Sequence, residues 1–586
     1  MLGVNIFLSF SLVLDPVIVA IAVDRFIKMK NTVGLYGIGA LSLSIAILVS
    51  LVVYFFFRIA FKIEAHIGHK FRRDQFAKVQ LLAVEYFDKT PVGSIISRMG
   101  ADTGRVSEVV AWGILDLAWA GGYLFLVTIS MLAANWKLAL VVLTLMPILI
   151  FITWLLSVRV LKLERQVRSA NSKMTSAISD GIYGAKTSKV LCREELNCQE
   201  FSDITREMRQ KSIYSARLSS AYFPVPLAVS SIAIGLVIYF GGNMVKTGEI
   251  TIGVVMLFIS YANMMFDPVI QMIDITSQLV KAHAAAERIL ELIETEPTIV
   301  DRPDVIEKYG TIEHPLRDNW EDMQGDITFE NVSFAYKKGE YILKDFNLHI
   351  PRGTTVALVG KTGAGKTTIV NLACRFYEPT EGRILIDGVD YRERSQSWLH
   401  NHLGYVLQSP FLFTGTIADN IKYGKMDATE EEIIAAAKLV HAHDFIVQFE
   451  RGYETQVGEG GSLLSGGQKQ LISFARAVLR SPQLFVLDEA TSSVDTETEK
   501  ILQLALEELL KDRTSFIVAH RLSTIKNADL ILVVDQGAVA ERGTHAELMA
   551  RKGKYYKLYT NQKYDEGSSR LLKTPEIVEA GAEVHG

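Results

Sequence analysis

Three stretches of this chain carry residues suited to phosphate chemistry. Gly360, Lys361, Thr362, Gly363, Ala364, Gly365, Lys366 and Thr367 follow the apolar run Val356–Val359. The spacing Gly-x-x-x-x-Gly-Lys-Thr is that of a phosphate loop, whose glycines let backbone N–H groups curl around a β-phosphate ahead of a helix N-terminus. In that pattern Lys366 reaches the β- and γ-phosphates and Thr367 ligates Mg²⁺. A second stretch, the apolar Leu484–Leu487, ends in Asp488 and Glu489. One acid there can hold Mg²⁺ through water, and its neighbour can orient or deprotonate an attacking water. An apolar run ending in two acids is common by itself, but it gains weight downstream of a phosphate loop. The third stretch, Leu464–Gln468, places Ser465, Gly466 and Gly467 at the start of a helix beginning near Gln468. It reads either as a plain helix cap or as a second N-terminus ready for phosphate.

These groups must be positioned by a chain of 586 residues that is unevenly apolar. The chain is 49% hydrophobic with a mean hydropathy of +0.21, and the apolar residues concentrate before about residue 270. Six segments approach the ~20 apolar residues that a bilayer crossing needs. They are Met1–Val23, Leu35–Phe57, Val110–Ala134, Leu138–Val158, Ala221–Phe240 and Thr251–Ile270. The first lacks a basic leader and runs on through Asp15-Pro16, which is a span rather than a cleavable signal. Long polar connections, Arg58–Val109 and Arg159–Ser220, read as helical extensions of the spans, interrupted at Pro91–Gly93 and Gly181–Gly184. They hold nine and twelve Lys and Arg residues, against three, one and one in the short loops. The raw count puts the long connections inside, although the short loops are too short for density to decide. A phosphate loop that must meet cytoplasmic nucleotide puts both termini inside as well.

Residues 1–290 are therefore expected to form an all-α, six-helix transmembrane domain, and 291–325 a polar linker. Residues 326–562 are expected to form an α/β phosphate-loop domain, where short strands such as Ile327–Phe329 and Thr355–Val359 alternate with helices. Residues 563–586 are expected to be a disordered tail. A net charge of −4 gives no sign of a nucleic-acid partner. Cys192, Cys198 and Cys374 have neither zinc nor disulfide-framework spacing and read as free thiols.

Taken in order, the motifs resemble those of an ABC transporter half-subunit of the exporter type over about residues 5–562. Gly360–Thr368 is similar to the Walker A loop, Thr368 included, and Leu464–Gln468 to the signature sequence. Asp488 and Glu489 match the Walker B acid and the catalytic base. Tyr336, in Val332–Tyr336, matches the aromatic residue that stacks on adenine. Gln408, ahead of Ser409-Pro410, matches the glutamine that touches Mg²⁺ and senses the membrane domain. Thr455–Gly460 resembles the exporter X-loop, and Ser492–Asp495 the D-loop ending in Asp495. His520 matches the switch histidine at the γ-phosphate. In the first half, Phe87–Arg98 resembles the first coupling-helix region, Ser179–Val190 the second intracellular loop, and Ala285–Ile293 the helix that leaves span six. Leu471 departs from the Arg that many homodimeric members carry, and the chain starts where the family's first span is already under way.

The resemblance implies ATP and Mg²⁺ as cofactors, with Glu489, His520 and Gln408 catalytic and Thr367, Gln408 and Asp488 around the metal. Each ATP would be clamped between the phosphate loop of one chain and Ser465, Gly466, Gly467 and Gln468 of a second half-transporter. A homodimer is favoured over a heterodimer. The expected activity is ATP-driven movement of a lipid-like or drug-like amphiphile across a plasma or inner membrane. An ATP-gated channel or regulatory subunit, and an exporter-shaped importer of siderophore-like compounds, are the alternatives. Within the spans, Asp15, Asp116 and Asp274 read either as a cation-binding cavity or as boundary and helix–helix contacts. Trp112 and Trp119, seven apart, are expected to share a face, for packing or anchoring more than for binding. Pro224 and Pro226 are expected to kink span five.

Overall fold

The structure is a computed structural model. It describes residues 2–27, 32–221, 224–337, 339–488, 496–518 and 525–561. By contacts the chain divides into two compact units: Met1–Leu81 with Thr90–Glu296, and Leu82–Lys89 with the chain from Pro297 onward.

The first unit is helical throughout. Its elements begin with α1 (Leu2–Ile21) and α2 (Thr32–Leu81); the next helix in the chain, α3 (Val84–Lys89), belongs to the second unit. The first unit continues with α4 (Val92–Ser97), α5 (Thr103–Glu108), α6 (Ile114–Ala134), α7 (Trp136–Leu143), α8 (Leu145–Tyr183), α9 (Ala185–Val190) and α10 (Glu194–Ser219). It ends with α11 (Pro224–Lys246), α12 (Ile252–Met264) and α13 (Phe266–Glu294). Among the described residues six helical stretches are long and apolar enough to cross a membrane, and the chain is a multi-pass membrane protein. Helices suit that setting because they satisfy backbone N–H and C=O groups internally where no water can. Tyr123, Val127, Met131, Leu138, Ala233, Phe258 and Tyr261 are buried between the helices, while Leu43, Leu51, Tyr54 and Phe55 of α2 stay exposed.

The short connections are capped by side chains. Asn135 accepts from the Leu138 N–H at 3.0 Å, and Asp24 accepts from the Gly253 N–H at 2.9 Å, stabilising the starts of α7 and α12. Beyond the spans, Arg288 of α13 donates two hydrogen bonds, 2.8 and 2.7 Å, to the buried Asp102 carboxylate. Gln75 of α2 donates to Thr103 at 2.8 Å. The extensions of three different spans are thereby fixed to one another. As expected from Gly181–Gly184, the long helix α8 stops at Tyr183 and the chain turns at Gly184.

The intramembrane polar residues fall apart rather than forming one cavity. Asp116 is hydrogen-bonded to Gln271, Asp15 is exposed, and Asp274 lines a cavity of about 610 Å³ with Trp154, Leu161 and Glu164. Trp112 and Trp119 do not share a wall. Trp112 lies in a π-helical turn, Val109–Gly113, packs on Phe57 and Phe61, and donates to Glu64 at 2.9 Å. Trp119 stacks on Tyr123 instead, at 5.6 Å and 15°. The wide turn takes in an extra residue and breaks the 3.6-residue phase that a spacing of seven assumes. Pro224 opens α11, where its missing N–H costs nothing, and a kink immediately before it falls on residues outside those described.

The second unit contains α14 (Pro303–Tyr309) and an antiparallel sheet of order β2-β1-β4-β5, with β1 (Ile327–Ala335), β2 (Tyr341–Ile350), β4 (Glu381–Ile386) and β5 (Val389–Asp390). A six-stranded sheet follows the order β10-β9-β3-β8-β7-β6. Its strands are β3 (Thr355–Val359), β6 (Leu403–Val406), β7 (Leu484–Asp488), β8 (Thr514–Val518), β9 (Leu530–Asp535) and β10 (Ala538–Gly543). All pairings in it are parallel except β10 with β9. β3 and β8 are buried along their whole length, as parallel strands covered on both faces must be. Apolar side chains form two cores: one around Phe329, Val356 and Ile369, the other around Phe474, Phe485 and Leu509.

Candidate nucleotide site

In a parallel sheet, the carboxyl ends of the strands are where loops gather to bind a ligand. Here β3 ends at Val359 directly before Gly360, β7 ends in Asp488, and β6 ends at Val406, two residues before Gln408. β6, β7, β8 and β3 are neighbours, so these positions share one sheet edge.

The loop after β3 is shaped by its glycines. A Cβ on Gly360 would sit 2.2 Å from the Val534 carbonyl oxygen, so no larger residue fits against β9. Gly363 and Gly365 have φ of +82° and +105°, where an L side chain is strained. Gly365 caps α15 (Lys366–Ala373), whose first-turn N–H groups open toward the loop. Lys366 is buried and its ammonium donates to the carbonyl oxygens of Gly360 and Lys361, at 2.7 and 3.0 Å. Burial lowers the Lys366 pKa, and the charge of Asp488 acts against that shift. Lys361, Thr362, Gly363 and Thr367 are exposed on the loop and the first turn, whereas Ala364 and Thr368 are buried.

Tyr336 is 37% exposed, and its hydroxyl lies 3.3 Å from the Thr368 hydroxyl. Its ring meets Phe334 edge-on at 4.9 Å and Tyr377 edge-on at 5.1 Å. The ring is therefore a braced platform beside the phosphate loop. Gln408 is exposed. Thr367, Gln408 and Asp488 offer hard oxygen donors of the kind that Mg²⁺ takes. Among the described residues there is no cluster of three or more His, Cys, Asp or Glu that could hold a metal, so an ion here would depend on a phosphate ligand as well.

Ser465–Gln468 opens α20 (Gly466–Val478) with a reciprocal capping box. The Ser465 side chain accepts from the Gln468 N–H at 3.3 Å, and the Gln468 side chain accepts from the Ser465 N–H at 2.9 Å. Ser465 and Gly466 are exposed, Gly467 is buried, and the helix is anchored by Leu471 and Phe474. Leu471 is thus a core residue. Glu489, Asp495 and His520 lie outside the described residues.

Comparison with known proteins now fixes the family. The family model for the ABC transporter transmembrane region matches residues 2–269, and the ABC transporter model matches residues 343–492. This chain belongs to the ABC transporter family. An uncharacterised ABC transporter ATP-binding protein of Bacillus subtilis (strain 168), YknV, is 36% identical over 490 residues, covering 84% of this chain and 79% of that one. The ATP-dependent lipid A-core flippase of Syntrophus aciditrophicus (strain SB) is 35% identical over 491 residues, 84% of this chain and 80% of the flippase. A fatty acid ABC transporter ATP-binding/permease protein of Mycobacterium bovis is 37% identical over 489 residues, 83% and 75% of the two chains. The protein is accordingly an exporter-type ABC transporter: an ATP-hydrolysing half-transporter with a helical membrane region and an α/β nucleotide domain, built to dimerise.

Three residues of this ABC domain escaped the reading of motifs. Phe334 and Tyr377 brace Tyr336, and Arg476 ties the segment after Gln408 to the signature helix. Arg476 donates to the Phe411 carbonyl at 3.0 Å and to the Asn420 carbonyl and side-chain oxygens, both at 2.8 Å. The alternation Val332-Ser333-Phe334-Ala335-Tyr336, with a bulky apolar or aromatic residue at every second position, was the available signal for Phe334. None marked the other two.

Proposed function

We propose that two copies of this chain form an exporter that moves an amphiphilic, lipid-like or drug-like substrate, driven by ATP·Mg²⁺ sandwiched between paired nucleotide domains. The observation that carries this reading is the split character of the site. Gly360–Thr368 and Asp488 sit at one sheet edge with a buried lysine, while Ser465 and Gly466 present an exposed helix N-terminus on α20. Such half-sites are complementary when a second copy supplies the missing half. The amphiphile class follows from the relatives named for lipid A-core and fatty acid transport.

ATP supplies the terminal phosphoanhydride whose cleavage drives the cycle. Backbone N–H groups of the Gly360–Gly365 loop and the start of α15 would bind the phosphates, and Lys366 would leave its two carbonyl partners for them. Tyr336 would stack on the base. Thr367, Gln408 and Asp488 would hold Mg²⁺, Asp488 through water. Glu489 would take the proton of the attacking water, His520 would contact the γ-phosphate, and Asp495 would lie near the joint between copies. Closure changes the conformational equilibrium only because the closed pair binds nucleotide more tightly than the open one. A homodimer is favoured because this one chain carries both the phosphate loop and the Ser465–Gln468 cap, so that two copies would make two equivalent sites. The nucleotide domain and both termini would face the cytoplasm.

The test is purification into lipid nanodiscs, ATPase assay against a panel of lipids and amphiphilic drugs, and mass analysis of the same sample. Stimulation by amphiphiles in a two-copy particle, with Glu489→Gln binding ATP but not cleaving it, is the expected result. A monomeric particle, or full turnover in Glu489→Gln, would overturn the reading.

A further inference from the structure

Tyr377 is a buried residue that no motif claims. It follows α15 by four residues and is 6% exposed. A buried phenol must place its O–H on an acceptor or lose the hydration it gave up. The Tyr377 hydroxyl donates to the Asp88 carboxylate at 2.5 Å. Asp88 lies in α3, which groups with the nucleotide domain by contacts but lies in the chain between the second and third membrane-crossing helices. Burial first, and then the Asp88 bond and charge, push the Tyr377 phenol well above its ordinary range, so it remains a proton donor at neutral pH.

The other side of Tyr377 faces the adenine platform. Its ring meets Tyr336 at 5.1 Å and 86°, and Phe334 at 5.5 Å and 72°. Phe334 and Tyr336 also meet each other edge-on, at 4.9 Å. Three aromatic rings at near right angles leave little freedom for any one to tilt alone. An unbroken line of contacts therefore runs from Asp88, through the Tyr377 hydroxyl and ring, to the Tyr336 ring.

We propose that Asp88 and Tyr377 form a positioning pair that makes the placement of α3 and the binding of the adenine base one linked equilibrium. The proposal rests on Tyr336 being the base platform, as the proposed function has it. With α3 in place, the Asp88 carboxylate fixes Tyr377, which holds Tyr336 square to an incoming base. With α3 displaced, the Tyr377 O–H loses its acceptor inside the domain and the platform loses its brace. By reciprocity, a bound base favours the position of α3 that keeps the hydrogen bond. The phosphates are held mainly by the loop N–H groups and Lys366, which the pair does not touch; its one link to the loop is the Tyr336 hydroxyl, 3.3 Å from that of Thr368, so the pair acts chiefly on the base.

The experiment uses full-length protein in nanodiscs with Mg²⁺ and measures equilibrium binding of ATP and of inorganic tripolyphosphate, which has no base. Wild type is compared with Tyr377→Phe, Asp88→Ala, the double variant, and Asp88→Asn, which keeps an acceptor oxygen. Tyr377→Phe and Asp88→Ala should each weaken ATP by about 5- to 20-fold, the size of an ordinary coupling between sites. Tripolyphosphate should change by less than twofold. The double variant should be no weaker than the weaker single, because both remove one contact, and Asp88→Asn should recover most of the loss. In a form with Cys192 and Cys198 replaced by Ser, a fluorophore at Lys89→Cys on α3 should respond to ATP but not to tripolyphosphate. That response should vanish in Tyr377→Phe.

Equal weakening of ATP and tripolyphosphate marks a general defect of the domain and overturns the proposal. So do additive losses in the double variant, or an α3 signal that ignores the base. These outcomes differ from failure of the transporter reading, which would appear as absent ATP turnover in the wild-type protein.

Discussion

Arg375 offers a sharp test of what holds the nucleotide domain together. It directly follows Cys374 at the end of α15, and its side chain is 1% exposed. The guanidinium donates to Asp301 at 2.9 Å, to Glu378 at 2.9 Å and to the Arg394 carbonyl at 2.9 Å. Asp301, 8% exposed, also accepts from the Gln396 N–H at 3.1 Å. Asp301→Ala removes one counter-charge and leaves the guanidinium buried. Breaking a buried pair in this way costs about 3–5 kcal/mol. Glu378 stays in place and is 29% exposed, which puts the loss near the lower end, at ~3 kcal/mol. For a domain of this size that is a fall of roughly 6–12 °C in the midpoint of thermal unfolding. The assay is scanning fluorimetry of the purified full-length protein, following the transition that ATP stabilises. A paired change, Arg375→Met with Asp301→Leu, should regain most of the loss, because an apolar pair of similar volume needs no counter-charge. A shift under about 2 °C for Asp301→Ala would show that the pair carries no such load, and equal damage from the paired change would show that packing, not charge, is at stake.

Two further outcomes are expected. The imidazole of His400 bonds the Cys374 carbonyl at 3.0 Å, and burial lowers its pKa, with that carbonyl bond opposing the shift. A histidine kept neutral in the fold stabilises it above its unfolded pKa of about 6.5 and loses that contribution as pH falls below it. Wild-type protein should thus lose more thermal stability between pH 7.5 and 5.5 than His400→Gln, and parallel curves would refute the assignment. Arg476→Gln should leave ATP affinity within twofold but slow turnover by about tenfold, or ~1.4 kcal/mol of barrier, because it loosens the segment after Gln408 from the signature helix. The check is nucleotide binding measured beside kcat; a loss confined to binding would contradict it.

What could be read from the sequence was local. The loop at Gly360–Thr367, the cap at Ser465 and the six apolar stretches each depend on residues a few positions apart, so spacing exposes them. Apolar strands ending in functional residues were legible for the same reason, since a strand buried on both faces shows as an unbroken run. The braces were not legible. Asp88 and Tyr377 are 289 residues apart, Asp102 and Arg288 are 186 apart, and Asp301 and Arg375 are 74 apart. A hydrogen bond between distant side chains leaves no periodic trace, and each partner alone looks like an ordinary surface acid or loop aromatic. The tryptophans of α6 and the turn before it show the other limit. Spacing implies a shared face only while the helix keeps its period, and a π-helical turn is invisible in composition.

The legible parts and the illegible ones do different jobs, which explains the division. Groups that meet phosphate must be ordered by backbone geometry, and backbone geometry needs glycines and caps at fixed offsets. Groups that carry a change of state must join segments far apart in the chain, because only such segments can move relative to one another. Arg476 joins the residues after β6 to α20, and Tyr377 joins the aromatic platform to α3. The Tyr377 bond and the bonds of Arg476 to Asn420 are part-buried, so each loses a partner if its segments part, and a shielded donor without its acceptor is costly. Each contact therefore favours the arrangement that keeps it. Apolar packing alone, being non-directional, would tolerate sliding and couple the same segments less sharply. The test that separates these accounts is shape-preserving substitution. If Tyr377→Phe, which keeps the ring and removes only the hydroxyl, leaves the ATP response of α3 intact, packing suffices and the hydrogen bond is incidental.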